Sequence, residues 1–209
     1  MTRPSTKKPY RLLVEGNDDI HVVANLCKAH GIPDTFDIIE QKGIENLLDA
    51  LPVTLKSDEL EILGVLVDAD MDLQARWQSL CKILAKAGYT TPKQPMPEGV
   101  ILYAEERPTV GIWLMPDNHL PGMLENFVAE LIPAGDALLP YVQKCVQGLP
   151  EQRFPSAQCA KAEIHTWLAW QGEPGKPMGQ AITARYLDAN AAKAGKFIAW
   201  LRRLFVIDK

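Results

Sequence analysis

Two acidic groups carry the chemistry that this chain could do. Glu15-Gly16 comes directly after Arg11-Leu12-Leu13-Val14, and Asp68-Ala69-Asp70-Met71-Asp72 comes directly after Ile62-Leu63-Gly64-Val65-Leu66-Val67. Carboxylate oxygens gathered in this way suit a hard divalent cation, Mg2+ or Mn2+, which takes oxygen donors and keeps some of its waters. A cation held there can neutralise charge on a transferring phosphoryl group and acidify a bound water. The residues therefore point to phosphate chemistry. Side chains two apart in an extended chain share a face, so Asp68 and Asp70 are expected to point the same way, with Glu15 opposite them on a neighbouring strand end.

The elements that must position these groups are legible around them. Each apolar run has the length and β-branched content of a strand buried in a parallel sheet. Both acidic groups then stand at carboxyl ends of strands, where open α/β sheets place their ligand sites. Strands are expected over 10–14, 36–40, 62–67, 100–103 and 110–114, the last two pairing as an antiparallel hairpin or each extending the sheet. Asn17 or Asp18 is expected to cap a helix running through Ile20, Val23, Ala24 and Cys27 to His30. Gly43 opens a helix with Ile44, Leu47, Leu48 and Leu51 on one face, and Leu73, Trp77, Leu80, Leu84 and Ala87 mark another. After Pro121 the pattern is helical, over 123–131, 137–146, 157–170, 180–187 and 191–205. Strands alternating with helices predict an α/β fold with right-handed crossovers, a parallel sheet flanked by helices. The expected organisation is an N-terminal tail over 1–9, an α/β core over 10–120 and a helical C-terminal cap over 121–209 packed on that core.

Composition narrows the class. At 47% hydrophobic and 23% charged residues the chain reads as an ordinary soluble globular protein. No apolar run approaches the roughly 20 residues that span a bilayer, and residues 1–9 lack an apolar signal core. No membrane partner is expected. Cys27, Cys81, Cys145 and Cys159 lie far apart with no CxxC pair, which argues against a disulfide framework or a zinc site and fits a cytoplasmic location. Net charge is -4, yet residues 161–209 hold 8 Lys and Arg against 4 Asp and Glu, so they are +4 and the first 160 are -8. An acidic site beside a mildly basic region could cooperate on a phosphodiester, although helices also carry surface lysines for no such reason.

With these residues placed, the chain resembles the Toprim domain shared by topoisomerases, primases and the nucleases of the overcoming-lysogenization-defect type. The resemblance lies in Leu13-Val14-Glu15-Gly16, then Gln41-Lys42-Gly43-Ile44-Glu45-Asn46-Leu47, then Val65-Leu66-Val67-Asp68-Ala69-Asp70. Met123-Leu124-Glu125-Asn126-Phe127-Val128 resembles the Glu-Asn motif of the nucleases. Ile164-His165-Thr166-Trp167-Leu168-Ala169-Trp170 and Gly175-Lys176-Pro177-Met178-Gly179 are similar to a family of small stand-alone Toprim-like bacterial proteins. The resemblance implies a Rossmannoid core and a Mg2+- or Mn2+-dependent nuclease that hydrolyses phosphodiester bonds of DNA or RNA. It makes Asp68 and Asp70 metal ligands, and Glu15 a ligand or general acid/base. Asp72 becomes a third ligand by the same resemblance, while its place before a helix makes it an N-cap, the reading preferred here. Glu125 is either a structural carboxylate in an apolar helix or, by resemblance, a ligand to a second metal. Lys42, Lys161 and Lys176 are candidates for the cation beside the scissile phosphate, and each also reads as an ordinary surface lysine.

Several features carry less. Asp117 and His119 read as turn chemistry, and Trp113, Trp167, Trp170 and Trp200 as core. Gly175-Lys176 is not an ATP site, since Trp170 stands where the phosphate loop needs glycine and Pro177 where it needs Ser or Thr. There is no room for a topoisomerase strand-passage domain, nor a counterpart of primase accessory domains. The alternative to a nuclease is a non-catalytic metal- or nucleic-acid-binding module, regulatory in role and acting with a separate ATPase subunit, a partnership drawn from family analogy.

Overall fold

The five apolar runs pair into one sheet whose two faces are both covered by helices. In the computed structural model, which describes residues 8–207, the strands are β1 (Tyr10–Val14), β2 (Asp37–Glu40), β3 (Ile62–Asp68), β4 (Val100–Leu102) and β5 (Thr109–Met115). Their order is β2-β1-β3-β5-β4. β2, β1, β3 and β5 run parallel, and β4 pairs antiparallel with β5. Of the two arrangements open to the last strands, the hairpin forms, and β5 alone extends the parallel set. From β1 the chain moves to one side of the sheet, and from β3 to the other. The crevice between the carboxyl ends of β1 and β3 is thus a topological switch point, where α/β sheets bind their ligands.

The helices are α1 (Asn17–Ala29), α2 (Ile44–Thr54), α3 (Leu73–Lys86), α4 (Leu124–Ala129), α5 (Leu138–Gln147), α6 (Cys159–Ala169), α7 (Met178–Thr183) and α8 (Ala192–Leu204). Alternation along the strands sorts side chains between two apolar layers. Leu13, Val65, Val67, Ile112 and Leu114 pack with Leu47 and Leu51 of α2 and with Trp77, Leu80 and Leu84 of α3. Leu12, Val14, Leu66 and Trp113 face the other way, into a cluster with α1, α8 and the helices after Pro121. Those later helices therefore share one core with α1 and the sheet.

Two close approaches set this second layer. Gly64 and Gly111 are register partners on neighbouring strands, and a Cβ on Gly111 would stand 2.4 Å from a Leu204 methyl. Their bare backbones form the shallow seat that receives the end of α8. A Cβ on Gly179 would lie 2.6 Å from the His21 carbonyl oxygen, so this glycine lets α7 rest directly on the backbone of α1.

Some expectations change. The N-cap of α1 is Gly16, not Asn17 or Asp18. The Gly16 N–H is bonded to the Asp19 carboxylate at 2.9 Å, and the helix begins at Asn17, so Asn17 and Asp18 lie within its first turn. The helical pattern over 157–170 begins as a 3-10 turn at Ser156–Gln158, and Trp170, just past the end of α6, is 42% exposed where the other three tryptophans of that group are buried. Residues 1–7 of the expected tail lie outside the described residues. Lys8 is ion-paired with Asp34 at 2.6 Å, and the Pro9 carbonyl accepts the Glu61 N–H at 2.9 Å. Among the described residues no helix is long and apolar enough to cross a membrane.

Candidate functional site

The parallel register of β1 and β3 pairs Val14 with Leu66, which brings the next residue of the first strand, Glu15, alongside the end of the second. Glu15 Oε1 accepts the Asp68 N–H at 2.7 Å. Asp68 is the last residue of β3, and its Oδ1 accepts the Leu124 N–H at 2.9 Å. That bond draws the first turn of α4 over the strand ends and buries Glu125 at 5% exposure. Lys161, from α6, pairs with Glu125 Oε1 at 3.2 Å. Asp19, buried in the first turn of α1, joins Glu15, Asp68 and Glu125 around one cleft of about 600 Å³, whose walls carry two further carboxyl groups, Asp18 and Glu40. Glu40, Lys42, Gly43 and Lys161 line its remaining walls.

The electrostatics follow from burying like charges together. Burial, and then Asp19, Glu15, Glu125 and Asp70, push the Asp68 carboxyl well above the usual carboxylate range. Asp19 is pushed up to about 7 by burial, opposed by the Gly16 N–H and reinforced by Glu15 and Glu125. Glu15 is raised by burial, against the Asp68 N–H and the Arg76 charge, which lower it. Lys161 is raised in turn, chiefly by Glu125 beside it. Carboxyl groups that resist ionisation in company are a site short of positive charge. The donors round this cleft are carboxylate oxygens without thiol or imidazole, the set that a hard divalent cation takes. Among the described residues no three His, Cys, Asp or Glu side chains stand grouped to hold a metal ion as placed; Glu15, Asp19 and Asp68 each commit one oxygen to a backbone amide.

The other expected residues divide. Asp70 does not share a face with Asp68. Its backbone lies at φ 53°, where it exchanges hydrogen bonds of 2.8 and 2.7 Å with Gly122, and this left-handed step ends the strand alternation. Its carboxylate turns to Arg76, which also donates through Nε to the Asp68 carbonyl at 3.0 Å. Asp72 caps α3, accepting the Ala75 N–H at 2.9 Å. Lys42 and Lys161 line the cleft; Lys176 is paired with Glu173 at 2.8 Å and does not. Asp117 serves its turn, accepting the N–H groups of His119 and Leu120 at 3.1 and 2.9 Å. Burial works to raise its carboxyl, but the bond from Lys193 and those two amides hold it below the usual range.

Asp19 is the residue that sequence reasoning missed. Its one signal is spacing: an acid three residues after the N-cap can reach back to the cap amide, and here that geometry also aims it into the cleft. Comparison with curated proteins and with solved structures finds no match. Residues 9–206, almost the whole chain, match a family model, and the protein belongs to that family, described as Protein of unknown function (DUF3226).

Proposed function

We propose that this protein is a divalent-metal-dependent phosphodiester hydrolase acting on DNA or RNA, a nuclease of the Toprim type that the sequence resembles. The observation that carries the reading is the meeting of Glu15 and Asp68 across adjoining strand ends, 2.7 Å from carboxylate to amide, in a cleft shared with two further buried carboxyls. Asp68 is the residue to hold Mg2+ or Mn2+, with Asp19 supplying a further oxygen and Glu15 either a ligand or the general base. Bound there, the cation supplies charge neutralisation at the phosphate and an acidified water.

The chain's own residues do the rest. Glu15, whose proton affinity is raised by burial, is suited to take a proton from the attacking water. Lys42 and Lys161 line the same cleft and present positive charge to the phosphate. Arg76 acts as a positioning residue, fixing the Asp68 carbonyl and holding Asp70 aside. The test is cleavage of supercoiled plasmid, single-stranded DNA and structured RNA with Mg2+ or Mn2+. Metal-dependent cutting is expected, lowered about 10²-fold or more in Glu15→Gln, the scale of a lost general base. Absence of cutting on all three substrates would count against the proposal.

The Asp70–Arg76 pair favours a second reading, because it withdraws one expected ligand. In that reading the protein is a metal- or nucleic-acid-binding module that regulates a separate ATPase. Metal binding without cleavage of any substrate distinguishes it.

A further inference from the structure

We infer that the Lys161 ammonium occupies the place of a second divalent cation, so that the cleft takes one metal ion per chain. The inference rests on the reading of the cleft as a metal site and deepens it. Glu15, Asp19 and Asp68 each give an oxygen to a backbone amide, which leaves their charge without a bonded counter-ion. Glu125 differs. It is almost wholly buried, and its carboxylate is held by the Lys161 ammonium at 3.2 Å.

The pair is built in by the fold. Lys161, Ile164 and Leu168 share one face of α6 at spacings of three and four, and Ile164 and Leu168 pack in the same cluster as Phe127 and Val128 of α4. The packing of these helices delivers the ammonium to Glu125. A lysine ammonium is a compact, strongly hydrated point charge. Placed on Glu125, it satisfies that carboxylate and repels any further cation from it. Glu15, Asp19 and Asp68 then remain beside the strand ends for one dication, with Asp18 and Glu40 on the outer walls of the cleft. Half-exposed at its side chain, Lys161 retains donors for a phosphate oxygen while Glu125 holds it in place.

Titration of the full-length protein with Mn2+, followed calorimetrically and by the signal of the free ion, tests this directly. The expected result is one Mn2+ per chain for the wild type and for Lys161→Arg. Lys161→Met, which keeps the stem and removes the charge, is expected to bind two and to gain a larger rise in melting temperature on adding Mn2+. Glu125→Gln combined with Lys161→Met is expected to return to one, and circular dichroism establishes that each variant is folded. Two ions in the wild type, or one in folded Lys161→Met, overturns the inference and leaves the metal site standing. No binding by the wild type overturns both.

Discussion

Burial and the neighbouring carboxylates Glu15 and Glu125 push the Asp19 carboxyl up to about 7, far above the ordinary value near 3.9 in an unfolded chain. Between those values the folded protein binds more protons than the unfolded one, so stability falls as pH rises through the window. A difference of that size corresponds to about 4 kcal/mol at most, and the raised Asp68 adds in the same direction. The metal-free protein is therefore expected to melt lower at pH 8 than at pH 5, with Asp19→Asn removing much of the difference. A flat pH profile of melting temperature, followed by circular dichroism, would show that these charges are not buried together. Asp72 makes a contrasting case. As the cap of α3, its replacement by Ala should cost about 1 kcal/mol in denaturant unfolding and leave Mn2+ affinity unchanged; a loss of affinity would make it a ligand. Glu15 and Asp68 were legible in the sequence because an acid directly after an apolar run must lie at a strand end. Asp19 was not, because an acid in a first helical turn is ordinary, and only α4 folding back over the strands buries it. Asp70 misled for a local reason: one residue at positive φ cancels the alternation that an extended chain predicts.

The strands were legible because their apolar runs are continuous, and all five lie within a residue of the expected bounds. What α8 covers was hidden. Its apolar periodicity announces a buried face, but the seat for that face is a pair of glycines that become neighbours only when β3 and β5 pair. Overfilling that seat is a test at this scale. Gly111→Val would drive side-chain atoms into Leu204, since its Cβ alone would stand 2.4 Å from a methyl of that leucine. The expected loss is about 1–3 kcal/mol, read as a lower denaturant midpoint. An unchanged midpoint would mean that α8 does not rest there. Gly179 plays the same part between α1 and α7, and through α1 it supports the turn that carries Asp19.

One apolar cluster joins the sheet, α1 and every helix from α4 to α8, so the two halves of the chain depend on each other. Glu125 and Lys161 come from the helical half, Glu15 and Asp68 from the sheet, and the cleft exists only where the halves meet. A chain ending at residue 120 is accordingly expected to lack cooperative unfolding and to bind a hydrophobic dye, since Leu12, Leu66 and Trp113 lose their cover; a sharp two-state transition would contradict this. The same union brings Lys161 of the helical half to the wall of the acidic cleft. The most direct measurement is metal-dependent cleavage of the substrate panel by the wild type, Asp68→Asn and Asp72→Ala together. Cutting is expected from the wild type and Asp72→Ala, and none above background from Asp68→Asn. Equal cutting by Asp68→Asn, or no metal-dependent cutting by any form, would contradict a metal-dependent nuclease centred on Asp68.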